Sequence, residues 1–118
     1  MERFSLNIDQ IAQYLEISPP FLMIDYVKEI IPGKSAHGIK KLTENDWFFK
    51  CHMQRELVMP WTLQIEAMLQ TLVLSIYTMK GHKGNFPISV ILTQNCFQRF
   101  PRVISLLYML ICYHTKEE

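Results

Sequence analysis

TLQIEAMLQTLVLSIYTM, residues 62–79, is the stretch on which the fold turns. Leu, Gln, Glu, Ala and Met are good helix formers, and Pro60 just ahead of them suits a helix start. Leu63, Ile65, Ala67, Met68, Leu69, Leu72, Val73, Leu74 and Ile76 leave hardly a face of that helix without an apolar side chain. A helix that is apolar all round is enclosed by something larger, so the rest of the chain has to supply the enclosure. Gly81 and Gly84 mark its end.

Upstream, Asn7-Ile8-Asp9 has the composition of a helix cap, and Ile8, Ile11, Ala12 and Leu15 recur at helical spacing. This short helix must stop before Pro19-Pro20. Phe21 to Ile31 is rich in strand formers, Pro32-Gly33-Lys34 is turn chemistry, and Ser35 to Leu42 returns as the second arm of a hairpin. Thr43-Glu44-Asn45-Asp46 is a polar loop, and Ile88 to Thr93 is a further predicted strand. A short helix, a hairpin, one swallowed helix and more strands predict an α+β domain in which an antiparallel sheet curls around the helix at 62–79.

The 118 residues, 49% of them hydrophobic and 19% charged, match a single globular domain spanning 1–118. No repeat or linker divides them. A formal net charge of +1 with scattered lysines argues against a nucleic-acid partner. The longest apolar run, Leu72 to Met79, is far short of the ~20 residues of a membrane span. Cys51, Cys96 and Cys112 form neither a disulfide framework nor a zinc motif, which suits a reducing, cytoplasmic setting. His37, His52, His82 and His114 show no paired ligand spacing, so no metal site is expected.

Glu66 is the anomaly, because an ionised carboxylate within apolar surroundings is costly without a partner. It either faces solvent at a gap in the sheet or serves a site. His52, alone, reads as an ordinary half-exposed histidine. Together they suggest a general base and a general acid, with the histidine titrating near neutrality and the carboxyl raised by a greasy site.

The residues from Cys51 to Gln70 resemble the (3R)-3-hydroxyacyl-acyl-carrier-protein dehydratases of the hot-dog fold. The family pattern G-H-F-P-x-x-P-V-M-P-G, about four residues, then E-A-x-x-Q is met by CHMQRELVMPW (51–61), TLQI (62–65) and EAMLQ (66–70). The histidine-to-glutamate spacing is kept without a gap. PFLMIDYVKEIIPGK, IKKLTEND, FF and ILTQNCFQRF are similar to other family segments, so the likeness covers about residues 8–103. It implies a homodimer with histidine from one subunit facing the carboxylate of the other. It implies that His52 removes a C2 proton from a 3-hydroxyacyl thioester and that Glu66 protonates the departing hydroxyl. The Val58 carbonyl would orient the imidazole, and the N–H of Trp61 would polarise the thioester carbonyl. Gln70 would support Glu66, or else plug a gap in the core. Acyl carrier protein is the implied partner, and no cofactor is implied.

The chain also departs from the family. Gln54, Arg55 and Leu57 stand where the loop has its Pro and Gly residues, Trp61 replaces the glycine after Met-Pro, and Cys51 the one before histidine. After Phe100 the family continues into further strands, whereas PRVISLLYMLICYHTKEE is an atypical tail over 104–118, so the C-terminal strands are expected to be incomplete. Read in a shifted frame from Leu106 with A/T-rich codons, it can give FVYVDMLSYKRG, similar to the missing strand, as a frame-shifted gene would. Three functional expectations follow: a dehydratase, a hot-dog protein without activity that binds acyl carrier protein or pairs with an active homologue, and a hot-dog thioesterase, which gives His52 no task.

Overall fold

The computed structural model describes residues 2–52 and 57–84, and the backbone of 103–109. Its elements run β1 (Phe4–Leu6), α1 (Ile8–Leu15), β2 (Tyr26–Ile31), β3 (Ser35–Lys41), a 3-10 turn (Trp47–Lys50), α2 (Trp61–Tyr77) and β4 (Val103–Met109). The four strands form one sheet in the order β1-β2-β3-β4, and every neighbouring pair is antiparallel. With α2 packed against β2, β3 and β4, this is the α+β arrangement expected. The predicted strand at 88–93 lies outside the described residues.

Local chemistry accounts for α1. The Asn7 side chain accepts from the Gln10 N–H at 3.0 Å, and the Gln10 side chain accepts from the Asn7 N–H at 2.9 Å, so two amides with no helical partner are satisfied reciprocally. Glu16 closes the helix in the left-handed conformation, φ 55°, its N–H donating to the Ala12 carbonyl. Ile11, fully buried, anchors α1 against Val27, Ile30 and Leu74.

Strand β2 begins at Tyr26, five residues later than predicted. Leu22, Met23 and Ile24 are buried as a strand would bury them, but two backbone groups here bond to a helix side chain. The Met23 N–H donates to Gln70 Oε1 at 2.8 Å, and the Phe21 carbonyl accepts from Gln70 Nε2 at 2.9 Å. The hairpin turn falls at 32–34 as predicted, with Ile31 opposite Ser35. Gly33 holds φ 68° there and donates its N–H to the Ser75 carbonyl of α2 at 2.8 Å. Two elements lay beyond the sequence reading: β1, only three residues long, and β4, which pairs along the whole of β3 from Ser35–Met109 to Lys41–Val103.

Helix α2 starts one residue before the predicted position and ends two before it. Its last turn closes through Thr78, whose hydroxyl donates to the Leu74 and Ser75 carbonyls. Ala67, Met68, Leu72 and Ile76 join Met23, Phe48, Phe49 and Met59 in one core cluster, while Leu74 belongs to a second with Leu6, Ile11, Val27 and Ile30. The helix therefore lies between two apolar clusters, which is why its sequence is apolar on nearly every face. It meets the sheet closely at Gly38, where an added Cβ would lie 2.5 Å from Thr71 Oγ1.

Candidate active site

The 3-10 turn delivers His52. Phe48 and Phe49 are both buried, and their rings pack edge-on at 4.6 Å between centroids. Cys51 follows, its N–H donating to the Phe48 carbonyl at 3.3 Å and its exposed thiol 3.5 Å from the same oxygen. Beyond His52 the described chain resumes at Leu57 and runs to α2. This arm is fastened to the helix it precedes: Gln64 Nε2 donates to the Met59 carbonyl at 2.9 Å, and the Leu63 and Gln64 amides donate to the Pro60 carbonyl.

Half-buried His52 places Nδ1 3.1 Å from the Val58 carbonyl oxygen. A carbonyl can only accept, so this bond requires a proton on Nδ1, and the neutral ring then carries its lone pair on Nε2. The imidazole is thus presented as a base with its free nitrogen turned from the backbone that holds it.

Glu66 lies in the second turn of α2 and is also half-buried. Its Oε1 accepts from Gln70 Nε2 at 3.0 Å. Gln70, 4% exposed, makes three bonds, to Met23, Phe21 and Glu66, so it fills a core position and orients the carboxylate at once. Among the described residues no bond occupies Oε2 of Glu66, and none links Glu66 to His52 within the chain. The structure therefore brings the sequence-predicted residues together as two pairs, His52 with Val58 and Glu66 with Gln70.

Trp61 is the first residue of α2, where an amide N–H has no carbonyl one turn earlier to bond. The residue is 63% exposed. Among the described residues no group of three or more His, Cys, Asp and Glu side chains is arranged to hold a metal ion, and no helix is long and apolar enough to cross a membrane.

Two contributors escaped the sequence reading. Gln64 was read only as a helix former. Lys40 sits 3.8 Å from Asp25 and 3.7 Å from Asp46, with a side chain only 11% exposed. Its signal was available: Ala36, Gly38 and Lys40 alternate along β3, so a charge shares the inward face with two small residues and needs partners.

Comparison with known proteins is consistent over most of the chain. The model of the FabA-like domain matches residues 17–104. The chain is 41% identical over 80 residues to the 3-hydroxyacyl-[acyl-carrier-protein] dehydratase FabZ of Clostridium novyi (strain NT), a match covering 68% of this chain and 56% of that protein. It is 40% identical over 84 residues to the protein of the same name from Clostridium botulinum (strain Hall), covering 71% and 58%. The chain spans little more than half the length of these curated relatives.

Proposed function

The chain belongs to the FabA-like family and has its hot-dog fold, and from that premise we propose that it is a 3-hydroxyacyl-acyl-carrier-protein dehydratase. The substrate is a (3R)-3-hydroxyacyl thioester on acyl carrier protein and the product a trans-2-enoyl thioester, within cytoplasmic fatty-acid or related acyl-chain synthesis. The observation that carries the reading is the bond from His52 Nδ1 to the Val58 carbonyl, which leaves Nε2 as a positioned base.

In this reading Nε2 of His52 removes a proton from C2, and the electron pair of that C–H bond forms the C2–C3 double bond. The C3–O bond breaks, and Glu66, as the carboxylic acid, gives its proton to the leaving hydroxyl to form water. Charge that develops on the thioester oxygen meets the amide N–H of Trp61 at the start of α2, where the helix dipole favours it. Gln70 holds the acid by one oxygen and leaves the other toward substrate. Every proton transferred is carried by these two side chains, so the chemistry calls for no metal or organic cofactor. As the family resemblance implies, the site is completed in a homodimer, each imidazole facing the carboxylate of the second copy; the separate pairing of His52 and Glu66 within the chain is compatible with that arrangement.

A second reading has one observation in its favour. The Trp61 indole stands exposed at the mouth of the helix, where bulk would hinder a thioester; the chain would then bind acyl carrier protein, or pair with an active homologue, without turnover. A thioesterase would leave the His52–Val58 pair without a task. Hydration of crotonyl-acyl carrier protein, followed by loss of enoyl absorbance, separates them. The wild type is expected to be active and His52→Ala to lose about 10²–10⁴-fold in kcat. A folded, dimeric wild type that gives no turnover would sink the dehydratase reading in favour of the second.

A further inference from the structure

We propose that Lys40 is a positioning residue for His52, acting through the two carboxylates that enclose its ammonium group; the functional half of this inference rests on the dehydratase reading above.

Three separate segments meet at Lys40. Asp25 precedes β2 and is held on both sides, its N–H donating to the Ile39 carbonyl at 2.8 Å and its Oδ2 accepting from the Lys41 N–H. Asp46 ends the polar loop, and its Oδ2 accepts from the Thr43 N–H at 2.8 Å. Lys40 Nζ lies between the two, 3.8 Å from Asp25 Oδ2 and 3.7 Å from Asp46 Oδ1. These separations are too long for strong hydrogen bonds, so the attraction is Coulombic and does not depend on a fixed angle. The partial burial of all three groups makes it less screened by salt than a surface pair.

The two carboxylates are not equally free to move. Asp25 is tied to β3 through two backbone bonds, whereas Asp46 is held by its own four-residue loop. Without the cation they would face each other as like charges, and Asp46 is the one that would yield. Its displacement has a short path to the imidazole. The Asp46 carbonyl accepts from the Phe49 N–H at 3.1 Å and so begins the 3-10 turn. The turn ends at Lys50, and Cys51, bonded back to Phe48, leads directly to His52. Phe48 and Phe49 pack in the same cluster as Met59, which neighbours Val58 on the other arm of the loop. A rigid turn with two buried rings transmits a shift at its start rather than absorbing it.

The experiment uses the full chain and reads the His52 ring directly, by the Cε1–H cross-peaks of its four histidines, with His52→Gln identifying the peak. In folded Lys40→Met the His52 peak is expected to move by more than its line width while that of His82, past the far end of α2, stays. Lys40→Arg, which keeps the charge, should return it. With crotonyl-acyl carrier protein, Lys40→Met should lower kcat about 10–100-fold, the scale of a displacement of about 1 Å, and leave KM within about threefold. Should Lys40→Met not fold, Lys40→Gln, which removes the cation and keeps a polar end between the two carboxylates, replaces it under the same criterion. A His52 peak unmoved in either folded variant, or moved as far by Ile11→Val in α1 at comparable loss of Tm, overturns the proposal. Should the wild type show no turnover, the cross-peaks still decide the positioning role, and the failure belongs to the dehydratase reading alone.

Discussion

At the scale of single residues, Gln70 carries the most. An amide has two donors and an accepting oxygen, and at this position the oxygen and the Nε2 group reach three partners on two segments of chain. A purely structural glutamine would need only Met23 and Phe21; a purely catalytic one would need only Glu66. Gln70→Met keeps nearly the same volume and removes every bond, leaving a buried N–H and a carbonyl without partners at about 1–3 kcal/mol each. Urea unfolding should therefore show a loss of about 2–5 kcal/mol, and a loss under about 1 kcal/mol would mean that those backbone groups find other partners. Gln70→Glu is the sharper variant, since it can still accept from Met23 but can donate to neither Phe21 nor Glu66 and sets a like charge beside the latter. It should be less active than Gln70→Met at neutral pH in the enoyl hydration assay, because Glu66 is repelled as well as released.

At the scale of elements, the contact that sets the distance between sheet and helix is Gly38 against Thr71. An added Cβ would meet Oγ1 at 2.5 Å and Cγ2 at 3.2 Å. Thr71 is fully buried, and its hydroxyl donates to the Ala67 carbonyl at 2.9 Å, so it has little room to turn away. Gly38→Ala should cost about 1–3 kcal/mol as overpacking, and Thr71→Ala in the same chain should recover much of it, with a coupling energy of about 0.5–3 kcal/mol in a double-mutant cycle. Strict additivity of the two changes would refute the contact. The elements also show where sequence reading succeeds. The cap of α1 was legible because Asn7-Ile8-Asp9 has cap composition, although the return bond from Gln10 is seen only in the structure, and the hairpin turn because Gly33 carries its own conformational signal. The overlong β2 follows from strand-forming composition alone, and what engages the backbone ahead of the real strand is a glutamine 47 residues away from Met23. The hot-dog likeness and the candidate His52 and Glu66 came from the kept spacing of a motif. The ion network at Lys40 joins residues 25, 40 and 46, and no local pattern names its partners.

At the scale of the whole molecule, the question is how two separately anchored groups become one site. His52 is held by Val58 in the arm before α2, and Glu66 by Gln70 inside it; each arrangement is complete without the other. In the proposed dehydratase a base and an acid act on adjacent carbons of one substrate and need to face each other across a few ångströms, and the two-fold pair of chains proposed above would supply that by bringing the same patch of each copy together. The consequence is testable without a structure of the pair. His52→Ala and Glu66→Gln should each be nearly inactive alone. Unfolded together in equal amounts and refolded, they should form mixed dimers as about half of the population, and each mixed dimer holds one site with both native groups and one with neither. About a quarter of wild-type activity should therefore return if imidazole and carboxylate come from different copies. If both come from the same copy, every site in the mixture lacks one of them and no activity returns. Since the two variants alter side chains in separate hydrogen-bonded pairs, restoration cannot come from either variant repairing the other within one chain, so recovered turnover would assign the site to the dimer.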